Sequence, residues 1–203
     1  MEPSRYSKRD LRRELLAARR AMSAESRKIQ DQGVRATLIR WLTETNSTIV
    51  AAHVPMIGEP GGPALPEALA GAVAGVLLPV VLPDRDLDWS WYAGPASVGP
   101  APLGLTEPTG PRLGVDAVTR ADVVLVPALA VDRDGMRLGR GGGSYDRVLA
   151  RVRPGQHVLA LLYEAEIRQL VPAEPHDRRV DGVVTAERVM LLSPRHGSGP
   201  AGR

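Results

Sequence analysis

The sequence predicts an α/β fold, layered helix–sheet–helix with a mostly parallel central sheet, in a single domain. Three observations lead there. Short runs dominated by Val, Leu and Ala alternate along the chain with segments whose apolar residues recur at helical spacing. The 203 residues include no Phe and only 3% aromatics, so the core must be built from Leu, Val, Ala and Ile; aliphatic, β-branched cores suit a sheet covered by helices on both faces. The length lies near the top of the range for one core, and no internal repeat divides it. Residues 1–193 are expected to form one domain, and the Gly/Pro/Ser-rich residues 194–203 a flexible tail.

Ser7-Lys8-Arg9-Asp10 has the pattern of a capping box and opens a first helix. Leu11, Leu15, Ala18 and Met22 form its buried stripe. Lys8 and Arg12, four residues apart, share a second face. Ser23 caps a second helix that turns Val34, Leu38, Trp41 and Leu42 inward. Residues 48–54 read as a strand, 55–63 as a Gly/Pro loop and 66–74 as a helix. A buried strand follows over 75–82, then another over 87–92 in which Trp89 and Trp91 alternate with Asp88 and Ser90. Residues 93–114 form a long Pro/Gly-rich connection. Residues 123–126 make a buried strand stopped by Pro127, and Asp132-Arg-Asp-Gly135 a turn. The glycine loop 139–143 leads into a helix over 144–152. Strands over 157–162 and 180–184 and a short segment over 189–192 complete the chain.

Net charge is +3, from 26 basic and 23 acidic residues, with a pI near 9.7. The surplus is local: residues 1–40 hold eleven Lys or Arg against five Asp or Glu. Basic N-terminal helices above an acidic remainder suit an anionic ligand or a solvated face more than a nucleic-acid surface, so no nucleic-acid partner is expected. Absence of cysteine excludes disulfides, thiolate-zinc sites and thiol nucleophiles. The four histidines, His53, His157, His176 and His196, offer no i, i+3 or i+4 pair for a metal. The opening residues are charged and lack an apolar signal core. The longest apolar stretch, 68–82, is broken by Gly71, Gly75 and Pro79 and is too short to span a bilayer. A cytoplasmic monomer without a membrane partner is the expectation.

The strongest local signal for chemistry is Arg137-Leu-Gly-Arg-Gly-Gly-Gly-Ser-Tyr-Asp-Arg147, between a strand and a helix. Glycines let backbone N–H groups approach a phosphate closely, and arginines add charge and bidentate hydrogen bonds. Read alone, the same run is also a flexible loop with solvated arginines. It lacks the Gly-Lys-Ser/Thr ending of a P-loop and the acidic residue of a dinucleotide site. Lys8 and Arg12 can reach one anionic group or simply line a solvated helix face. Glu59 follows a strand end, where α/β folds place ligand loops, but by itself reads as a solubilising loop charge. Asp146 and Asp181 are candidate magnesium ligands, since a nucleotide's Mg²⁺ needs only one or two carboxylates; separately they read as a helix-terminus charge and a strand-edge charge. Trp89, Trp91 and Tyr92 can stack on a flat ring or pack a strand. His176 sits in a loop and is given no catalytic role.

Taken in order, these segments resemble the 5-formyltetrahydrofolate cyclo-ligase family. The resemblance runs through Lys8-x-x-x-Arg12, Pro55-Met-Ile-Gly-Glu59, Leu78-Pro79 and Gly104-Leu-Thr-Glu-Pro108. It continues through Val126-Pro127, Asp132-Arg-Asp-Gly135, the Arg137–Arg147 loop and His176-Asp-Arg-Arg-Val-Asp181, and covers roughly residues 8–192. Four positions depart from the family pattern: Ser144 replaces a Tyr, Val131 a Phe, and Pro60-Gly61 an Asp-Thr.

The resemblance implies a folate enzyme that uses ATP and Mg²⁺. By similarity, Lys8, Arg12, Arg137, Gly139, Arg140, Gly141, Gly142, Gly143, Ser144 and Tyr145 would bind ATP. Val54, Glu59, Arg140, Gly141, Gly142, Gly143 and Ser144 would bind the reduced folate. Arg137 and Tyr145 would act in catalysis, and Asp146 and Asp181 would hold the metal. Three alternatives remain at this level: another small-molecule enzyme on a related scaffold, such as a sugar-phosphate isomerase or CoA transferase; a binding module built on the basic helices; and a degenerate, inactive family member, against which the intact Arg137, Gly139, Gly141 and Asp146 argue.

Overall fold

A computed structural model describes residues 7–192; the tail expected at 194–203 lies outside the described residues. Ser7 caps the first helix, α1 (Lys8–Ala21), by accepting a hydrogen bond from the Asp10 N–H and donating one to its carboxylate. Ser23 caps α2 (Ala24–Glu44) in the same manner through the Ser26 N–H. None of the described helices is long and apolar enough to cross a membrane.

The central sheet has seven strands. In chain order they are β1 (Ile49–Ala51), β2 (Gly75–Val81) and β3 (Leu87–Trp91). Two short hairpins lie outside it, β4 (Val98–Pro100) with β5 (Thr106–Pro108), and β7 (Ala130–Val131) with β8 (Arg137–Leu138). The sheet continues with β6 (Val123–Pro127), β9 (His157–Leu161), β10 (Gly182–Val184) and β11 (Val189–Leu191). Its order is β11-β10-β9-β6-β1-β2-β3. The five inner strands are parallel and the two edges antiparallel, as the mostly parallel expectation requires.

Side-chain alternation within the apolar runs supplies both covered faces. Val123, Leu125, Leu159 and Leu161 meet Val34, Leu38 and Leu42 of α2 and Leu65 and Leu69 of α3 (Leu65–Ala70). Val124, Val126, Val158 and Ala160 face the other way, onto Val148 and Leu149 of α4 (Ser144–Leu149) and the 3-10 turn Val115–Arg120. A third cluster joins Leu11 and Leu15 of α1 to Leu129, Ala130 and Leu138 around the second hairpin, and so fixes α1 over that edge of the molecule.

The stripe expected on α1 needs correction. Leu11 and Leu15 are buried, but Ala18 is exposed and Met22 half-buried. The next residue on that face is Arg19, four positions beyond Leu15 and only 5% exposed. Its guanidinium donates to both Glu166 oxygens at 2.6 and 2.8 Å and to the Ala128 carbonyl at 2.7 Å. A buried charge persists only when paired this fully. The 93–114 connection contains the β4–β5 hairpin, and the Glu107 carboxylate accepts the Val81 N–H, tying that hairpin to the end of β2.

The order of the strands decides where a ligand can sit. From β1 the chain steps to β2 on one side, then returns to β6 on the other. Connections leaving the carboxyl ends of β1 and β6 therefore diverge and leave a crevice.

Asp132-Arg-Asp-Gly135 is a turn, as expected. Asp132 is buried and holds it shut, accepting from the Asp134 and Met136 N–H groups and, across the fold, from Val171. Gly135 has φ +80°, and a Cβ there would lie 2.4 Å from the Val180 carbonyl oxygen. Gly135→Ala is expected to cost about 2–4 kcal/mol through left-handed backbone strain and overpacking. Thermal unfolding should register this as a Tm lower by roughly 5–15 °C. An unchanged Tm would mean the Val180 segment can move away freely.

Candidate active site

A cavity of about 1080 Å³ occupies the crevice at the carboxyl ends of β1, β2 and β6. Its rim is supplied by the start of α1, the glycine loop, the 172–177 loop and the β4–β5 hairpin. Every proposed ATP and folate residue lines it: Lys8, Arg12, Val54, Glu59, Arg137, Gly139 to Gly143, Ser144 and Tyr145.

Lys8, Arg12 and Arg137 are held on the cavity lining by partners from other segments. Arg137 is 7% exposed, donating to the Asp146 carboxylate and to the Arg178 carbonyl, both at 2.9 Å. Arg12 donates through Nε to the Gly139 carbonyl at 2.9 Å, which docks the glycine loop on α1. Gly141 has φ +98°, and its Cα side lies against the Arg12 guanidinium, so a side chain there would be strained. The Lys8 ammonium bonds Glu174 at 2.8 Å and Asp177 at 2.6 Å. Burial alone pulls the Lys8 pKa down, but these two bonds outweigh it and hold the pKa above its ordinary value. The solvated-face reading of Lys8 and Arg12 is thus replaced by a fixed, cavity-facing pair.

Glu59, His53 and Tyr145 also line the cavity. Glu59 is 6% exposed, which corrects its reading as a loop solubility charge. One oxygen accepts the Arg140 Nε–H at 2.9 Å and the other the Met56 N–H at 2.9 Å. Its loop is held from behind by α2, where Arg35 donates to the Gly61 carbonyl and Asp31 packs against Gly62. Tyr145 lies under the glycine loop with its hydroxyl buried and without a hydrogen-bond partner. Burial, then the Glu59 charge, pushes its pKa up, so it is a neutral phenol.

The two metal candidates part company. Asp146 lines the cavity; its Oδ1 takes the bonds from Arg137 and the Arg178 N–H. Asp181 is not among the lining residues. It stands before β10 and its carboxylate accepts the Val158 N–H, at the amino end of β9, whereas the cavity opens at the carboxyl ends. The ladder register, invisible in the sequence, puts it there. Trp89, Trp91 and Tyr92 also lie off the cavity: Trp89 is fully buried in the core, so the packing reading holds. Ser144 does not cap α4; Gly143, in the left-handed region, is the cap and Ser144 the first helical residue.

Two features escaped the sequence reading. His176 lines the cavity with Glu174 and Asp177. His53, weighed only as a metal ligand, sits on the cavity wall; the one signal for it is a histidine in the otherwise apolar strand end Ala51-Ala52-His53-Val54.

Residues 4–186 match the 5-formyltetrahydrofolate cyclo-ligase family. The chain belongs to that family. A 5-formyltetrahydrofolate cyclo-ligase of Mycolicibacterium smegmatis is 40% identical over 189 residues, covering 90% of this chain and 95% of the relative. One from Escherichia coli K12 is 28% identical over 177 residues, covering 84% and 96%. Among solved structures, the 5,10-methenyltetrahydrofolate synthetase of Aquifex aeolicus superposes with a TM-score of 0.77 at 28% identity, covering 95% of this chain and 96% of that one. The Mycoplasma pneumoniae synthetase, at TM-score 0.72 and 22% identity, covers 90% and 100% and supports the fold. Residues of most of the motifs that resemble the family, from Lys8 to Asp177, line this one crevice, while the Asp132–Gly135 turn and Asp181 stand off it.

Proposed function

We propose that this cyclo-ligase family member converts 5-formyltetrahydrofolate to 5,10-methenyltetrahydrofolate, with ATP consumed to ADP and phosphate. The observation that carries the reading is what one cavity lining brings together: Lys8, Arg12, Arg137 and the glycine loop, with the buried carboxylate Glu59 and the neutral phenol Tyr145. An anionic co-substrate and a heteroaromatic ring with N–H donors would each find a matching wall.

A formamide is a poor electrophile. Phosphorylation of the formyl oxygen makes that oxygen a good leaving group; nitrogen 10 attacks the formyl carbon, and phosphate departs, taking up the proton that nitrogen 10 releases as the ring closes. The chain's task is positioning and charge neutralisation, without a covalent enzyme intermediate. Lys8, Arg12 and Arg137 bind the phosphates, and Gly141 and Gly143 let the loop backbone lie close to them. Glu59 accepts N–H bonds from the pteridine edge once Arg140 turns from it to the phosphate side. Tyr145 stands at the junction, where its neutral hydroxyl can donate to an oxygen of either substrate.

The metal reading fits one residue. Asp146 lines the cavity beside Arg137, and its Oδ2 carries no hydrogen bond among the described residues. One carboxylate with phosphate oxygens suffices for Mg²⁺, which would neutralise phosphate charge. Asp181 is not carried forward as a partner.

The test is spectroscopic: methenyltetrahydrofolate absorbance from 5-formyltetrahydrofolate with and without Mg-ATP. Growth that requires Mg-ATP is expected. Folded protein that binds neither ATP nor the folate would sink the assignment.

A further inference from the structure

Arg140 is held differently from the other cations of the cavity. Its side chain is 43% exposed, against 6% for Arg137 and 15% for Lys8. Among the described residues its guanidinium makes one hydrogen bond, from Nε to a Glu59 oxygen at 2.9 Å. Glu59 is the buried member of the pair, with a side chain 7% exposed, and its other oxygen accepts the Met56 N–H. Both oxygens are therefore taken, and the one held by a side chain that can swing away is the one held by Arg140.

The main chain around Arg140 lies against another cation. The Gly139 carbonyl accepts from Arg12 Nε, and a Cβ on Gly141 would stand 3.6 Å from the Arg12 guanidinium. Residue 140 thus has its backbone beside Arg12 and its guanidinium on Glu59. Consecutive Cα atoms are about 3.8 Å apart, so an anion on Arg12 lies within reach of the Arg140 side chain by rotation about its own χ angles. Its neighbours Gly139, Gly141, Gly142 and Gly143 carry no side chains to block that rotation.

The charges set the conditions for the move. A buried carboxylate stripped of its cation is costly unless other donors replace it. Nucleotide alone, by drawing Arg140 to its phosphates, would leave Glu59 bare. Folate alone, by taking Glu59, would leave Arg140 without an anion. The two together exchange partners and leave neither group unpaired.

We infer that the Arg140–Glu59 pair couples the two substrates, so that each binds more tightly when the other is present. The nucleotide's phosphates take Arg140 while the folate's N–H edge takes Glu59. This rests on the ATP and folate reading of the cavity. Such coupling is reciprocal: the factor by which nucleotide tightens folate equals the factor by which folate tightens nucleotide.

Calorimetry on the full chain decides it, with 5-formyltetrahydrofolate and the Mg²⁺ complex of β,γ-imido-ATP, each titrated with and without the other. In the parent, each Kd should fall by roughly fivefold or more when the other ligand is saturating. Arg140→Gln keeps a long side chain and N–H donors but no charge, and its coupling factor should drop below about twofold. Arg140→Lys keeps the charge and should retain most of the coupling, because one donor and no guanidinium fork meets Glu59. Parent Kd values that do not depend on the other ligand overturn the inference. So does coupling in Arg140→Gln as large as in the parent, or equal loss in the Gln and Lys variants, which would assign the effect to side-chain fit. A parent that binds both ligands independently overturns the coupling alone and leaves the functional reading standing; a parent that binds neither overturns both.

Discussion

Arg137→Ala should lower kcat/KM for methenyltetrahydrofolate formation by at least about 10²–10³-fold, the loss seen when a preorganised donor to developing charge is removed. The Arg137 guanidinium is a firmly held cation of the cavity. It is pinned by Asp146 and the Arg178 carbonyl, and its Nε is buried without a partner. A donor held this way needs no reorganisation when phosphate charge arrives. The same truncation removes the partner of Asp146, whose side chain is 19% exposed. A stability loss of about 1–3 kcal/mol is expected, below that of a fully buried pair because water can reach the carboxylate. Arg137→Lys separates the two effects: it keeps the charge but not the fork, so the stability loss should shrink while most of the activity loss remains. Kinetics and thermal unfolding on both variants check this. A folded Arg137→Ala within tenfold of the parent would remove Arg137 from the phosphate site.

The second large effect is expected at Glu59. Both carboxylate oxygens accept, one from Arg140 and one from Met56. Glutamine keeps one acceptor and turns the other into a donor, so no orientation satisfies both partners. With substrate in place the same mismatch faces the pteridine N–H edge. Loss of a charge-assisted bond of about 1.5–3 kcal/mol corresponds to a KM for 5-formyltetrahydrofolate raised roughly 10–100-fold. Affinity for Mg-ATP should fall less than affinity for the folate, because Lys8, Arg12 and Arg137 make no bond to Glu59 and only Arg140 links it to the glycine loop. Initial-rate kinetics in both substrates and a nucleotide titration test the split. Equal weakening of ATP and folate would show that Glu59 acts by holding the glycine loop through Arg140.

Much of this architecture is legible in the residues. The apolar runs at 75–82, 123–126 and 157–162 are strands because Val, Leu and Ala fill both faces of a covered sheet. Ser7 and Ser23 cap helices where their spacing places them. Arg19 was harder to read. An arginine on an apolar stripe looks like a stripe's edge, and only the arrival of Glu166 and the Ala128 carbonyl from distant segments makes its burial tolerable. The β4–β5 hairpin was hidden because Pro and Gly mask short strands.

The residue types and their order determined by themselves the α/β class, the parallel sheet, the family, and the set of cations and glycines that gathers on the cavity lining. Those properties depend on local periodicity and on motifs contiguous in the chain. Which carboxylate stands where was decided only by tertiary structure. Glu59 is buried and bridged to Arg140, Asp146 faces the cavity, and Asp181 is spent on the β9 ladder near its amino end. Strand order and register fix those positions, and both arise from long-range pairing between segments that carry no label for one another. His53 makes the same point: a histidine between alanine and valine is a packing detail until β6 lies beside β1 and leaves the residue on the crevice wall.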